Sequence, residues 1–226
     1  MRQPTGLSHK SIIYLIIASH TQIQLDSEDR GLDNERRQQS MKEKPVIERK
    51  KEAKDNSREI WLAGGCFWGM EKYVSGIPGV ISTSVGYANG TVPSPSYEQV
   101  CTGNTGCAET VHVVYEPAEI SLSRLLALYM RAIDPTSLNR QGHDVGEQYR
   151  TGVYYLDEED MAVIRAALLQ AEAECGKPVV VEAKPLASYY LAEEYHQEYL
   201  RKNPAGYCHI GDALCAAAWD AAAWNR

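Results

Sequence analysis

Two hydrophobic periods run through the chain from residue 59 onward, and together they lay out its elements. Apolar runs or apolar positions two apart, which share one face of a strand, predict strands over 59–63, 80–87, 110–115, 151–156 and 178–182. The helical period is clearest where Leu122, Leu125, Leu126, Tyr129 and Ile133 line one face behind a Ser121 cap, with Asp134-Pro135 ending the element. Further helices are expected over 66–75, stopped by Gly76-Ile77-Pro78-Gly79, and from Asp157, read as the cap, to Cys175 with Gly176 closing. A short helix over 192–202 stops at Asn203-Pro204. Residues 88–96 and 99–106 read as loops, and 136–150 as a long polar loop of the kind that often carries function. The order β-α-β-β-α-β, then a further α and β, is the split βαβ arrangement. The expected class is therefore α+β: a two-layer mixed sheet with helices on one face, a ferredoxin-like core, and an irregular C-terminal tail.

The first 57 residues do not share this patterning. The apolar run at 11–18 is too short to span a bilayer, although Arg2 and Lys10 ahead of it allow a weak export signal beside the expected cytoplasmic location. Residues 26–58 are dense in both charge signs and nearly free of aromatics, so they cannot bury enough surface to fold alone. The expected organisation is an extension over 1–57, a catalytic domain over 58–203 and a cysteine-bearing tail over 204–226. Met41 lies within the extension, so a chain starting there loses nothing the core needs.

Composition narrows the function classes. Lys and Arg total 23 against 30 Asp and Glu, a net charge of −7 that argues against nucleic acid or an anionic membrane as the main partner. Fourteen tyrosines against a single phenylalanine suit a pocket lined with hydroxyls. Six scattered cysteines, with no CxxC pair and no zinc-finger spacing, point to redox-active thiols in a reducing compartment rather than to a disulfide framework or a metal site.

Four segments carry candidate chemistry. In Gly64-Gly65-Cys66-Phe67-Trp68-Gly69, a cysteine heads a helix, where backbone N–H groups and the helix dipole favour the thiolate; a cysteine packed between aromatics is the alternative. Glu109 stands just ahead of a strand; in an apolar setting its carboxyl stays protonated near neutral pH, whereas at an exposed strand end it does not. The segment from Asn139 to Arg150, with Asp144 and Tyr149, reads as a site loop or a solvated connector. In the tail, Cys208 on a Gly-flanked segment suits a resolving thiol, or is an unreactive surface cysteine. A Cys–His hydrolase would need a histidine base, and His112, His143 and His196 do not fall in such a pattern. A thiol peroxidase is the other cysteine chemistry to weigh.

Gly65-Cys66-Phe67-Trp68-Gly69, the Gly86-Tyr87-Ala88-Asn89-Gly90 turn, Ala108-Glu109, Asp134-Pro135-Thr136, Asn139-Arg140-Gln141-Gly142 with Asp144, Gln148-Tyr149-Arg150, Glu194-Tyr195-His196-Gln197 and Gly206-Tyr207-Cys208 together resemble the A-type peptide methionine sulfoxide reductases. The resemblance runs from about Glu59 to Ile210. It implies that Cys66 attacks the sulfoxide sulfur, Glu109 protonates the oxygen, Tyr97 and Tyr149 hydrogen-bond that oxygen, and Phe67 and Trp68 hold the methyl group. Asp144 would order the polar side of the site. It also implies the S epimer as substrate, free or in proteins, and a sulfenic acid on Cys66 resolved by Cys208. The reductant would be thioredoxin or another dithiol; no bound cofactor and no metal are implied, and a monomer is the default. The chain departs from the family pattern with Cys107, where His usually precedes Ala-Glu, and with Ile133, where many members have His. Cys215 stands as a second recycling thiol or as a helix-face residue beside Ala216-Ala217-Ala218. Cys101 and Cys175 read as structural.

Overall fold

The computed structural model describes residues 56–220, so the expectations for the N-terminal extension up to residue 55 lie outside the described residues. Strand β1 (Arg58–Gly64) leads into helix α1 (Phe67–Ser75), then β2 (Val80–Ala88), a short α2 (Tyr97–Cys101), β3 (Ala108–Tyr115) and α3 (Leu122–Ala132). A two-residue hairpin of β4 (Arg140–Gln141) and β5 (Asp144–Val145) and a 3-10 turn (Glu147–Tyr149) precede β6 (Thr151–Tyr155) and α4 (Asp160–Cys175). Strands β7 (Glu182–Pro185) and β8 (Tyr189–Leu191) and helices α5 (Tyr199–Lys202) and α6 (Asp212–Trp219) complete the order.

The sheet runs β7-β6-β1-β3-β2-β8. All neighbours are antiparallel except β6 and β7, which are parallel. Its inner four strands carry the split βαβ connectivity read from the sequence. Alternation along the strands divides the core. Ile60, Leu62, Val111, Val113, Val153 and Tyr155 face the helices and pack with Leu125, Leu126 and Tyr129 of α3. Trp61, Ala63, Tyr154, Tyr189 and Leu186 form a second cluster on the other face, where Trp61 stacks on His112 at 4.5 Å between centroids. Tyr129 ties the layers together: its buried hydroxyl donates to the Ala63 carbonyl at 2.6 Å and accepts from the Gly152 N–H at 3.2 Å, fixing the end of β1 just before the Cys66 turn. Among the described residues no helix is long and apolar enough to cross a membrane, and no cluster of His, Cys, Asp and Glu is arranged to hold a metal.

Several local expectations are corrected. The Val-rich run at 178–182 is strand only from Glu182, because the Val180 N–H is taken by the Pro135 carbonyl at 2.8 Å and pairing with β6 begins at Gly152↔Glu182. Asp157 does not cap α4, which begins at Asp160; both carboxylates instead bind the Arg58 guanidinium, at 3.1 and 2.9 Å. Residues 99–106 are not all loop: Ser96 and Gln99 form a capping box that starts α2 at Tyr97. The helix expected over 192–202 shrinks to Tyr199–Lys202, since Glu198 takes a left-handed φ of 50° and the Gln197 amide pairs with the Val85 N–H (2.8 Å) and carbonyl (2.9 Å) like a strand partner. The tail is not irregular over Asp212–Trp219 but forms α6, whose Trp219 Nε1–H donates to the Tyr73 carbonyl at 2.8 Å; residues 221–226 lie outside the described residues.

Candidate active site

The site gathers at the end of β1. Gly65 takes a φ of +79°, a conformation that costs a side-chain-bearing residue, and a β-carbon there would lie 2.6 Å from Gln141 Cβ. This turn sets Cys66 at the N-cap of α1, 8% exposed. Its thiol lies near the backbone N–H groups of Trp68 and Gly69. Those donors favour the thiolate, as the sequence suggests, but they do not win: burial, reinforced by the charge of Glu109, pushes the Cys66 thiol above its ordinary range. The expected lowering of the thiol pKa is thus reversed, with burial as the larger cause.

Glu109 comes from β3 on the same face as Val111 and Val113, and is 1% exposed. Its Oε2 accepts the Phe67 N–H at 3.0 Å, at the head of α1, while Oε1 is buried without a protein partner. Burial raises its pKa to about 8, the Phe67 N–H opposing and Asp144 adding to the rise. The carboxyl is therefore protonated at neutral pH. The strand-end solvent-exposed alternative is excluded by this geometry.

Tyr97 opens α2, and its N–H donates to Glu193 Oε1 at 3.1 Å; Glu193 Oε2 in turn accepts from the Tyr87 hydroxyl at 2.9 Å. Tyr149 sits on the 3-10 turn, which Arg150 anchors by binding the Glu147 carbonyl (3.2 Å), the Gly106 carbonyl (3.0 Å) and Glu182 (3.1 Å). Burial, and then the Glu109 charge, raise both phenols, which stay protonated as hydrogen-bond donors. Asp144, on β5, accepts from the Tyr207 hydroxyl at 3.3 Å, and Gln141 pins the hairpin by binding the Asp134 N–H and carbonyl at 2.8 and 2.9 Å.

Phe67 is 1% exposed and packs into the main core, its ring 6.0 Å from Tyr87 and 6.5 Å from Tyr97. Trp68 is partly exposed, stacked on Tyr199 at 3.9 Å, and its Nε1–H donates to His196 Nδ1 at 3.0 Å. His196 and Tyr199 thus fix the indole. His196 stands in the Glu194-Tyr195-His196-Gln197 motif, but no local signal marks this contact, because its partner lies 128 residues away.

Cys208 is half-buried, its thiol donating to the Ile210 carbonyl at 3.1 Å, and Cys215 is 1% exposed on α6. Cys107 packs against Gly90, and its N–H bonds Thr105 Oγ1 at 3.2 Å, so it fills space behind the strand start. Ile133 packs over Gly64. Cys101 is not in a loop: it ends α2, exposed, within reach of the Tyr97 hydroxyl.

Comparison with known proteins places the chain among its relatives. The sequence profile described as peptide methionine sulfoxide reductase matches residues 58–225. The peptide methionine sulfoxide reductase MsrA of Lachnoclostridium phytofermentans is 53% identical over 165 residues, covering 73% of this chain and 99% of that protein. That of Mycoplasma genitalium is 55% identical over 153 residues, 68% of this chain and 98% of the relative. Among solved structures, reduced Mxr1 from Saccharomyces cerevisiae superposes with a TM-score of 0.64 at 38% identity, covering 69% of this chain and 91% of that one. Methionine sulfoxide reductase A of Corynebacterium diphtheriae gives 0.63 at 38%, covering 69% and 79%. With a profile match across most of its length and relatives above half identity, the chain belongs to the peptide methionine sulfoxide reductase family.

Proposed function

We propose that the chain reduces the S-sulfoxide of methionine, free and in proteins, to methionine, with Cys66 as the nucleophile. The observation that carries this reading is Glu109: a buried carboxyl, held by the Phe67 N–H at 3.0 Å and protonated up to about pH 8, beside a buried thiol. Reducing a sulfoxide requires a proton on the oxygen as the sulfur is attacked, and this pair supplies both needs.

In this mechanism the Cys66 sulfur attacks the sulfoxide sulfur and Glu109 protonates the oxygen. The hydroxyls of Tyr97 and Tyr149 hydrogen-bond the same oxygen, and Asp144 orders the polar side. Phe67 and Trp68 hold the S-methyl group, the indole kept in place by His196 and Tyr199. Collapse transfers the oxygen to Cys66, releasing methionine and leaving a sulfenic acid. The Cys208 thiol condenses with it, forming a disulfide and water. Thioredoxin, or another dithiol, then returns both thiols. Cys215, buried in the core cluster against which Cys208 packs, is the second thiol to which the disulfide passes once α6 loosens. Within the same proposal the chain acts as a monomer in the cytoplasm, the catalytic domain over 58–203 and the tail over 204–226 together carrying both electrons on thiols with no bound cofactor.

Replacing Cys66 by Ser is expected to abolish reduction of a peptidyl methionine sulfoxide, followed as methionine formed. Undiminished reduction in that variant would overturn the mechanism.

A further inference from the structure

We propose that His209 is the acid–base residue of the resolving step: it takes the proton of the Cys208 thiol and returns it to the oxygen that leaves Cys66. The inference rests on the reading of Cys66 and Cys208 given above.

The ring of His209 lies over the turn that carries Cys66. Its Nε2 is 3.1 Å from the Gly64 carbonyl oxygen. A carbonyl only accepts, so Nε2 carries the proton and Nδ1 of the neutral ring presents a bare lone pair. That Nδ1 is buried and has no protein partner. The seat for the ring comes from two missing side chains. A β-carbon on Gly65 would lie 3.2 Å from Nε2, and one on Gly69 would lie 2.8 Å from Nδ1 and 3.4 Å from Cys208 Sγ. Nδ1 and the resolving sulfur therefore abut the same backbone point, and the N–H of that same Gly69 is one of the two donors near the Cys66 thiol. Burial lowers the imidazole pKa against the opposing effects of Asp144 and the Gly64 carbonyl, so the ring is a free base at neutral pH. The charged group acting on it is Asp144 from β5, which also binds Tyr207; Cys208 lies beside it on its own segment, with Lys72 of α1 and Cys215 of α6 close to that Cys208.

A base here meets a chemical need. The thiolate is the nucleophile in disulfide formation, and a free thiol is mostly protonated at neutral pH. In the resting state the Cys208 thiol donates to the Ile210 carbonyl. Turned to Nδ1, it gives up its proton. The sulfur electron pair then forms the bond to Cys66 Sγ, the Cys66 S–O bond breaks, and the oxygen departs with its own hydrogen and the proton from Nδ1 as water. Cys208 is oxidised, the Cys66 sulfenic sulfur is reduced, and no outside reductant enters the step.

The test uses the full chain in rapid-quench experiments that read methionine release and the Cys66–Cys208 disulfide separately, across the imidazole titration range. The sulfenic acid is made with methionine sulfoxide in one arm and with hydrogen peroxide in the other. His209→Gln keeps a donor for the Gly64 carbonyl but has no base. It is expected to slow disulfide formation about 100-fold more than methionine release, and to remove the imidazole bend from the pH profile of the disulfide step. Equal slowing of both steps, or a disulfide step that keeps its bend, overturns the proposal. The unmodified chain gives a second reading that does not depend on how the variant folds: disulfide formation that follows only a thiol titration also overturns it. If the sulfoxide yields no methionine while peroxide yields the disulfide with the imidazole bend, the reading of the first step fails and the base stands.

Discussion

Glu109 decides the pH behaviour of the site. Its pKa is raised to about 8 by burial, so below that pH it holds the proton the sulfoxide oxygen needs, and above it the proton is lost. Methionine release is therefore expected to fall as pH rises through about 8. In Glu109→Gln, which still accepts the Phe67 N–H but has no acidic proton, release should drop by about 10²- to 10⁴-fold and lose that dependence, as rapid-quench measurement of methionine checks. The same group sets a stability slope. A folded pKa above the unfolded one means that the native state binds more protons, so the stabilisation is complete below about 4.5 and lost as pH rises through about 8. Denaturant unfolding across that window should show a shallower decline in Glu109→Gln. The buried Glu71, raised to about 7 by burial against the Glu198 N–H and Thr83, contributes to the same slope and remains in the variant. Cys66 teaches the complementary lesson at this scale: a helix N-terminus favours a thiolate, but burial outweighs two backbone donors.

At the scale of elements, helix α6 is the piece whose role changed most between sequence and structure. Its register brings Lys72 to Asp212 at 2.7 Å, a pair too exposed to count for much, and seats Trp219 on Gly76, where a β-carbon would lie 2.3 Å from the ring. The indole also makes the hydrogen bond to Tyr73, so Trp219 is the clamp that keeps Cys215 inside. Trp219→Ala is expected to cost about 1–3 kcal/mol, less than a fully buried Trp because the ring is partly exposed. Thermal melting should shift down, and alkylation of Cys215, followed by mass spectrometry, should accelerate markedly. An unchanged alkylation rate would mean that α6 opens without help from this contact. Elements with strong local signals came out as read: α3 behind its Ser121 cap, which accepts the Arg124 N–H at 3.2 Å, and α4 closed by the left-handed Gly176. Elements that failed did so where a side chain found a distant partner, as Gln197 found the edge of β2 and Asp157 found Arg58.

For the whole molecule, the two half-reactions are expected to separate. Cys208→Ser should release one equivalent of methionine from the sulfoxide and then stall with thioredoxin as reductant; unchanged steady-state cycling would shift the resolving role to Cys215 or to a small thiol acting directly. A chain starting at Met41 should reduce sulfoxide at the full-length rate, since the family match begins at residue 58; a fall in rate would give the extension a task. Cys66, Glu109, Tyr149 and Cys208 were legible as candidates in the sequence, because the glycines, the strand and helix periods and the motif order are written locally, whereas Tyr97 was named only through the family resemblance. The sheet connectivity was legible for the same reason: alternation along strands and the spacing of turns leave few ways to pair them. What tertiary structure alone decided is the state of each group. Whether Glu109 is a proton donor or an exposed carboxylate depends on being sealed behind α1, and whether the Cys66 thiol is raised or lowered depends on how burial weighs against backbone donors. The bracing of Trp68 by His196, and the seating of His209 over Gly65 and Gly69, join residues more than a hundred positions apart. Burial and long-range contact are properties of the packed chain, and no local pattern encodes them.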